Sequence, residues 1–453
     1  SLQVASTIID VTNGRVVAQL GSRHQDENVA LGTNQAVQTD RDWGSTMKPI
    51  TDYAPAIEKG VYTNTGTTVY DNPYNFPGSS TPVYNWDRKY YGSISLTYAL
   101  QQSRNVTAVK ALQAAGLEYA QSFLKDLGIE YPEMYYSNAI SSSTSSSDSK
   151  YGASSEKMAA AYAAFANGGY YTEPYTYTKI VYRDTDKEEE VDAERTQVMS
   201  DSTAYMTSNV LYDAAEYGIG TSYINGGHYG AKTGTSNFTE KTIQSKGYPS
   251  NAVNDLWVDG INPQYAISVW YGYDKQDDTY VSTTNTGGHR NLFRAVASLF
   301  FTENKDFEQP SSVVSVEVER ETYPVQLPSA NTPSNMRMTE LFKKGTEPTE
   351  VSTRFATLSD VSNLKGSIKR NSVTLSWNGI STPTELDSGS LSSWASKVFF
   401  DSGYRASYVQ SRLGQNQSIL GSFGYNVYAK QENGSLRLIQ FTNNTSLTFT
   451  ARS

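Results

Sequence analysis

The sequence contains no cysteine, which excludes disulfide bonds, thiolate zinc sites and a cysteine nucleophile. Histidine is scarce as well: only three occur in 453 residues, and none has the paired spacing that is typical of a metal site. We therefore expect no metal and no cofactor, and we interpret His228 and His289 as structural residues. Serine, threonine, lysine and the carboxylates remain as candidates for catalysis.

The chain also lacks an excess of positive charge, because 37 Lys and Arg stand against 46 Asp and Glu, a net charge of −9. Phosphate binding needs clustered basic side chains, so nucleic acid is excluded as the main partner. No run approaches the ~20 apolar residues of a membrane span, and no signal segment opens the chain. Because the first residue is Ser1, we expect a soluble fragment of a longer protein, with any membrane anchor upstream.

The length predicts more than one hydrophobic core. Residues 1–303 mix strand and helix patterns and are predicted to form one domain. Residues 304–358 contain five prolines among serine, threonine and charged residues, which predicts an extended linker. Residues 359–453 show short alternating strands with turn signals, which predicts a small all-β sandwich.

Local patterns predict an antiparallel sheet and several helices within residues 1–303. Asn13-Gly14 lies between two β-branched runs and predicts a hairpin with a type I′ turn. The serine-rich segment 141–149 predicts a loop. Helices are expected over Ser45–Gly60, Ser95–Gln102, Asn105–Ala115 and Lys157–Asn167, and strands over His228–Thr235, Asp255–Ile261 and Tyr265–Tyr273.

Three short motifs follow one another along the chain: Ser45-x-x-Lys48, Ser103-x-Asn105 and Lys232-Thr233-Gly234. The first spacing is weak evidence by itself, because it recurs at Ser122/Lys125, Ser147/Lys150, Ser154/Lys157 and Ser362/Lys365. Ser45 differs from these decoys because it opens a predicted amphipathic helix, with Lys48 one turn later on the same face. A purely structural role is the alternative in both cases: Ser45 would be an ordinary helix N-cap, and Lys232 would lie at an ordinary strand end.

The motifs suggest a serine nucleophile that is activated by lysine. Lys48 is the candidate base, because burial and the second cation, Lys232, would lower its pKa. Ser103 is a candidate proton relay, and Asn105 would position Lys48 and a substrate carbonyl.

The strand that carries Lys232 is the candidate substrate site. Thr233 and Thr235 offer hydroxyl groups, and Gly234 would let an extended substrate approach and pair as an added strand. Trp43 is a further candidate for lining the cleft, although it could equally be a packing residue.

Together with the segments Trp43–Pro49 and Met158–Gly169, these motifs resemble the transpeptidase domain of a class A, bifunctional penicillin-binding protein over about Gln3–Phe301. The resemblance implies an α/β (α+β) penicillin-binding/β-lactamase-like fold, in which helices cover both faces of a five-stranded antiparallel sheet. It also implies an oxyanion hole formed by the backbone N–H groups of Ser45 and Thr235. Residues 359–453 resemble a fibronectin type III module.

The resemblance implies that Ser45 attacks the D-Ala-D-Ala end of a peptidoglycan stem pentapeptide and passes the acyl group to an acceptor amine. β-Lactams would acylate the same serine as covalent inhibitors. It further implies a glycosyltransferase domain and a membrane anchor upstream of Ser1, with the catalytic domain on the extracellular side of the cell membrane.

Three alternatives remain open. A β-lactamase needs a carboxylate that activates water, and no E-x-x-L-N motif lies between Asn105 and Lys232. A D,D-carboxypeptidase differs in using water as the acceptor, and a sensor would keep the acyl-enzyme as its signal. Deacylation rate and transfer to an amine would distinguish them.

Overall fold

The computed structural model describes residues 1–142, 152–218, 228–274, 279–282 and 287–451. Most of the serine-rich segment that is predicted as a loop lies outside the described residues. The chain divides into two compact units. The first comprises Ser1–Glu317, Tyr323–Val325 and Thr339–Pro348, and the second comprises Val318–Thr322, Gln326–Met338 and Thr349–Ser453.

The first unit combines strands with helices. Its strands are β1 (Leu2–Asp10), β2 (Val16–Leu20), β3 (Thr68–Asp71), β4 (Gly92–Ser95), β5 (Tyr170–Thr172), β6 (Lys179–Val181), β7 (Glu188–Glu190), β8 (Arg195–Gln197), β9 (Gly230–Asn237), β10 (Ala252–Ile261), β11 (Tyr265–Tyr273) and β12 (Val281–Ser282). Its α-helices are α1 (Ala54–Glu58), α2 (Leu96–Gln101), α3 (Asn105–Ala115), α4 (Leu117–Asp126), α5 (Ser155–Ala166), α6 (Asp201–Tyr217), α7 (Glu240–Lys246) and α8 (Gly288–Phe300).

Five strands form the central antiparallel sheet in the order β2-β1-β11-β10-β9, and the short β12 also pairs with β10. Side chains alternate between the two faces of this sheet. Trp257 and Trp270 face the core that contains α5, whereas Val258 and Val269 pack with Phe293 of α8. The predicted five-stranded sheet with helices on both faces is therefore confirmed.

The hairpin between β1 and β2 exists, but its turn is not type I′. Gly14 has φ +79°, whereas Asn13 is not in the left-handed region that a type I′ turn also requires there. The Asp10 carboxylate accepts hydrogen bonds from the backbone N–H (2.9 Å) and the hydroxyl (2.6 Å) of Thr12. This side-chain turn closes a longer loop, in which only the final glycine needs a positive φ.

The predicted helix over Ser45–Gly60 has three different parts. A 3₁₀ turn spans Gly44–Met47, a π-helix spans Lys48–Tyr53, and α1 follows. The prolines at 49 and 55 lack the N–H groups that a continuous α-helix uses. The Ala54 N–H instead donates to the Pro49 carbonyl, five residues back, which is the π-helical pattern.

The region 304–358 is not the predicted extended linker. Strands β13 (Val313–Glu319) and β14 (Arg337–Lys343) pair into a two-stranded sheet, and a 3₁₀ turn spans Ser334–Met336. The buried Glu319 carboxylate accepts hydrogen bonds from Arg354 Nε (3.2 Å) and the Thr332 hydroxyl (2.7 Å). Buried polar groups need such partners. Because residues within this segment provide them, the segment is folded despite its prolines.

The C-terminal part of the second unit is not all-β. Strands β15 (Ser362–Lys369), β16 (Ser372–Asn378) and β19 (Ser446–Thr450) form one sheet, and β17 (Tyr425–Lys430) pairs with β18 (Leu436–Thr442). Both sheets contribute to one small core around Trp377, Val427 and Leu447. The predicted strands are therefore present.

Two helices interrupt this strand pattern: α9 (Ser388–Val398) and α10 (Ser402–Leu420). Each begins after an aspartate N-cap, because Asp387 accepts the Ser390 N–H (2.8 Å) and Asp401 accepts the Tyr404 N–H (2.6 Å). The aromatic rings of Phe399 and Tyr408 lie 4.8 Å apart. The expectation of a purely β fibronectin type III module was therefore wrong for residues 388–420.

Candidate active site

Ser45 lies in the 3₁₀ turn at the start of the first helical segment, where its side chain is half-buried. The Gly44 N–H donates to the Asp42 carboxylate (3.0 Å), which holds the turn from its N-terminal side. Gly44 has φ +54°, and a Cβ there would lie 2.6 Å from the Thr235 carbonyl carbon. A glycine is therefore required for this turn to approach β9 so closely.

Gly234 contributes the second half of that close approach. A Cβ at this position would lie 2.6 Å from the Trp43 carbonyl oxygen and 2.9 Å from the Thr46 nitrogen. The face of Gly234 from which a side chain would project thus packs against the turn that carries Ser45. This packing, rather than the approach of a substrate, explains the glycine in the third motif.

Lys48 is fully buried, and its ammonium group contacts the second motif. Lys48 Nζ donates to the Ser103 carbonyl (2.8 Å) and to Asn105 Oδ1 (2.8 Å), and it lies 3.1 Å from Ser103 Oγ. Burial, and next the charge of Lys232, hold the pKa of Lys48 well below its usual value. These contacts of Lys48 Nζ do not include Ser45, so the expected base lies one helical turn from the candidate nucleophile without a hydrogen bond to it.

The Ser103 hydroxyl lies between the two lysines of the motifs. Lys232 Nζ is 3.0 Å from Ser103 Oγ and also donates to the Thr233 carbonyl (2.9 Å). Burial lowers the pKa of Lys232 to about 7.

The donors and acceptors around Lys48 suggest how the protons are arranged. The Ser103 carbonyl and Asn105 Oδ1 can only accept, so Lys48 donates to both. When Lys48 is neutral, its lone pair points towards the Ser103 hydroxyl, which itself accepts a hydrogen bond from Lys232. This arrangement provides a direct route for a proton between Lys48 and the Ser103 hydroxyl.

Ser103 has φ +50°, a left-handed conformation that is unfavourable for serine. The neighbouring Arg104 anchors this strained loop, since its guanidinium is fully buried and pairs with Asp71 (2.9 Å) and Asp87 (3.0 Å). It also stacks 3.7 Å above the centre of the Tyr91 ring. The sequence analysis missed these partners, because only Arg104 belongs to a recognisable motif.

Asn105 is held by a second residue that the sequence analysis missed. Asn85 is buried, and its Oδ1 accepts the backbone N–H of Asn105 (2.8 Å) at the start of α3. Asn105 Nδ2 donates to the Tyr84 carbonyl (2.8 Å). The segment that includes Tyr84, Asn85 and Asp87 therefore positions the second motif. The alternation of polar and aromatic residues in it was the only signal available from the sequence.

Comparisons with known proteins identify the family. A family profile described as "Penicillin binding protein transpeptidase domain" matches residues 4–296, and one described as "Penicillin-binding protein 1A, C-terminal domain" matches residues 309–357. The chain belongs to the penicillin-binding protein transpeptidase family. Its first unit is thus a penicillin-binding transpeptidase domain with the expected α+β fold.

Two curated penicillin-binding proteins illustrate the degree of similarity. Penicillin-binding protein 1A of Streptococcus oralis is 55% identical over 280 residues, which cover 61% of this chain and 43% of that protein. Penicillin-binding protein 1A/1B of Bacillus subtilis strain 168 is 35% identical over 388 residues, which cover 83% of this chain and 42% of that protein. The chain therefore spans about two-fifths of the length of these relatives.

Solved structures of penicillin-binding proteins share the fold at low sequence identity. Penicillin-binding protein 1A from Haemophilus influenzae aligns with a TM-score of 0.61 and 21% identity, over 77% of this chain and 54% of that chain. The PonA1 protein from Mycobacterium tuberculosis in complex with penicillin V aligns with a TM-score of 0.55 and 22% identity, over 68% of this chain and 81% of that chain.

The remaining site candidates of this penicillin-binding domain differ in their exposure. Thr233 and Thr235 are half-buried, and among the described residues no strand pairs with the free edge of β9 beside them. Trp43 does not line a cleft: it is fully buried, and its ring lies 6.0 Å from that of Tyr131. Trp43 is a core residue because the close packing of the Ser45 turn on β9 encloses it.

The histidines are not part of this site. His289 lies buried on α8, and burial lowers its pKa to about 4. His228 pairs with Asp306 at the surface. Within the part of the chain that the structure describes, no cluster of three or more His, Asp or Glu side chains is suited to a metal ion. No helix in that part is long and apolar enough to cross a membrane.

Proposed function

We propose that this chain catalyses D,D-transpeptidation of peptidoglycan stem peptides through an acyl-enzyme at Ser45. The observation that supports this most directly is the Ser103 hydroxyl, which lies between Lys48 and Lys232 beside the Ser45 turn. The substrate class is a stem pentapeptide that ends in D-Ala-D-Ala, and the acceptor is an amine of a neighbouring stem. β-Lactams are covalent inhibitors that acylate the same serine.

In the acylation step, Ser45 Oγ attacks the carbonyl carbon of the penultimate D-Ala while Lys48 accepts the hydroxyl proton. The tetrahedral oxyanion is stabilised by the backbone N–H groups of Ser45 and Thr235. The peptide bond then breaks, and a proton passes from Lys48 through the Ser103 hydroxyl to the amine of the departing D-Ala. The product is an ester between Ser45 and the shortened stem peptide.

In the transfer step, the acceptor amine attacks this ester and forms a new peptide bond. Its surplus proton returns through Lys48, and Ser45 regains its hydroxyl. Protonated Lys232 supplies the positive charge for the carboxylate of the donor peptide or of a β-lactam. Thr233 and Thr235 would contact an extended donor at the free edge of β9.

The positions of the carboxylates bear on the β-lactamase alternative, because a β-lactamase needs a carboxylate near the serine to activate water. Among the described residues, no Asp or Glu oxygen lies within hydrogen-bonding distance of Ser45, Lys48 Nζ or Lys232 Nζ. A carboxylate that activates water for deacylation is therefore missing from these contacts. This favours a long-lived acyl-enzyme, which a transpeptidase, a carboxypeptidase and a sensor all share.

The test combines intact-mass measurement after benzylpenicillin treatment with turnover of a stem pentapeptide and an added acceptor amine. We expect a stable penicillin adduct and a cross-linked product in the wild type, and neither in Ser45→Ala. Ser122→Ala is the matched control, because Ser122 has the same spacing to a lysine but lies exposed on α4. Release of tetrapeptide without cross-linking would indicate a carboxypeptidase, an adduct without peptide turnover a sensor, and rapid penicillin hydrolysis a β-lactamase.

We further propose that the intact protein is anchored in the cell membrane, with this catalytic unit on the extracellular, cell-wall side. The substrate class supports this location, because stem peptides are cross-linked outside the membrane. Fractionation of cells with an antibody against this unit, combined with protease accessibility in spheroplasts, tests the proposal. Recovery in the cytosolic fraction would contradict it.

A further inference from the structure

The register of the central sheet aligns five polar residues in one row. Lys232 on β9 pairs directly with Asp259 on β10, and Asp259 pairs with Ser268 on β11. Ser268 pairs with Thr7 on β1, which in turn pairs with Gln19 on β2. Directly paired residues project from the same face of a sheet. A polar row therefore crosses the core, starting at the lysine of the third motif.

The outer half of this row is satisfied by hydrogen bonds. Gln19 Nε2 donates to Thr7 Oγ1 (3.2 Å) and to the Glu156 carboxylate (2.9 Å). Thr7 Oγ1 also lies 2.9 Å from the Ser155 hydroxyl at the start of α5. Packing of α5 on the sheet explains these polar residues without any reference to the active site.

The inner half is different, because Asp259 is fully buried and neither of its oxygens has a hydrogen-bond partner among the described residues. The hydroxyl groups of Thr46 and Ser268 lie nearby, but Thr46 Oγ1 donates to the Trp43 carbonyl (2.6 Å) and Ser268 Oγ is itself unpaired. Burial raises the pKa of Asp259 to about 8. Strand register thus places an unpartnered carboxyl group at the position directly opposite Lys232.

A carboxyl group and an amine on directly paired, buried strand positions constrain each other's charge. Burying one isolated charge is costly, whereas a carboxylate beside an ammonium lowers that cost for both groups. The charged pair and the neutral pair contain the same number of protons and differ only in where one proton is located. Removing the carboxyl group leaves the lysine as an isolated cation.

We propose that Asp259 is a positioning residue that supplies the counter-charge for protonated Lys232. Lys232 then keeps the positive charge that donor recognition requires even though it is buried. The inference rests on the proposed function, because it concerns the charge of a residue that acts in acylation. Asp259 itself does not contact the substrate in this mechanism.

Other titratable groups lie around Lys232 and Asp259, and each has its own interactions. Besides burial, the charge of Lys232 lowers the pKa of Lys48, and Asp52, Arg104 and Asp71 also act on Lys48. Burial keeps Tyr162 of α5 neutral by raising its pKa well above the usual value, and Asp255 of β10 is paired with Arg41. Helix α6, which packs on β9, carries Asp213 and Glu216. Asp259 is the residue paired directly with Lys232.

The test is the pH profile of the second-order rate of acylation by benzylpenicillin, measured from pH 5.5 to 9.5 on the full chain. We expect Asp259→Asn to acylate within about threefold of wild type at pH 6. At high pH the acylation rate falls as Lys232 loses its proton, and we call this fall the alkaline limb. In Asp259→Asn the alkaline limb should lie about one pH unit lower or more, which is about a tenfold loss of rate where the limb is steep. Ser268→Ala, the uncharged neighbour in the same row, should leave that limb in place.

Measuring Asp259→Asn in the Lys232→Arg variant distinguishes the loss of a counter-charge from a structural effect of the substitution. Arginine at position 232 stays protonated throughout this range, so Lys232→Arg and the double variant with Asp259→Asn should have the same alkaline limb. An unmoved limb in Asp259→Asn, or an equal shift in the Lys232→Arg background, would overturn the inference. If Asp259→Asn does not fold, as judged by thermal melting, Asp259→Ser is measured under the same criteria. Wild type that fails to acylate at any pH would contradict the proposed function instead.

Discussion

Lys232 Nζ lies 3.0 Å from the hydroxyl oxygen of Ser103, although the two residues are 129 positions apart in the chain. Lys48 Nζ lies 3.1 Å from the same oxygen. One hydroxyl group therefore connects the lysines of the first and third motifs. Its position depends on a serine that is held in a left-handed backbone conformation.

The first prediction separates the Ser103 hydroxyl from that backbone conformation. Ser103→Ala and Ser103→Gly both remove the proton relay, so both should lose acylation by ~10²-fold or more. Glycine adopts a positive φ without strain, so Ser103→Gly should be more stable than Ser103→Ala by ~1 kcal/mol. Acylation rates and thermal melting check both parts. If Ser103→Gly acylates like wild type, the hydroxyl is not a relay.

The second prediction assigns different roles to the two lysines. Lys48→Arg should lose acylation by ~10²-fold or more, because a guanidinium stays protonated and cannot act as the base. Lys232→Arg should lose less, because there the positive charge is the requirement and arginine supplies one. Second-order rates with benzylpenicillin compare the variants with wild type. Faster acylation by Lys48→Arg than by Lys232→Arg would rule out Lys48 as the base.

The third prediction concerns the contact between Gly234 and the Ser45 turn. Gly234→Ala places a methyl group 2.6 Å from the Trp43 carbonyl, so the turn must move. We expect a loss of ~1–3 kcal/mol in stability and a marked loss of acylation. Gly414→Ala is the control, because a Cβ at Gly414 on α10 meets nothing within 4 Å. If Gly234→Ala acylates at the wild-type rate, this packing does not position Ser45.

The fourth prediction concerns β14, which lies within the second family match. Backbone hydrogen bonds hold the end of β14 within the first unit: the Thr65 N–H donates to the Leu341 carbonyl and the Lys343 N–H to the Thr63 carbonyl, both at 2.9 Å. A chain that ends after residue 358 should therefore acylate nearly as wild type, whereas one that ends after residue 303 should lose stability. Thermal melting and acylation rates check this. Equal behaviour of the two truncated chains would show that β14 does not support the catalytic unit.

The fifth prediction uses the buried His289. Its folded pKa of about 4 lies below the 6.5 of an unperturbed histidine, so the unfolded chain binds the proton first as the pH falls. The buried, neutral His289 costs no stability above pH 6.5. The free energy of unfolding then decreases as the pH falls from 6.5 to about 4. Denaturant unfolding at pH 7.5 and 4.5 should show wild type losing about 2–3 kcal/mol more than His289→Gln. Parallel losses in both proteins would show that His289 does not titrate in this way.

Local sequence patterns were sufficient for much of the catalytic unit. The hairpin strands, α2, α3 and α5 follow from residue periodicity and capping residues, and the three motifs identify the residues that meet around Ser103. The same patterns were insufficient for residues 388–420, where short strands on either side suggested a continuous β pattern. The aspartate N-caps of α9 and α10 were the local signal that could have corrected this prediction.

Sequence by itself therefore determined the family, the candidate nucleophile and the order of the motifs, because these depend on residue type and on spacing within a few turns of chain. Tertiary structure decided the rest. Arg104 meets Asp71 across 33 positions, Glu319 meets Arg354 across 35, and Asp259 lies beside Lys232 only because of strand register. Such pairings depend on how separate elements pack against one another, and no local periodicity encodes which buried groups will meet.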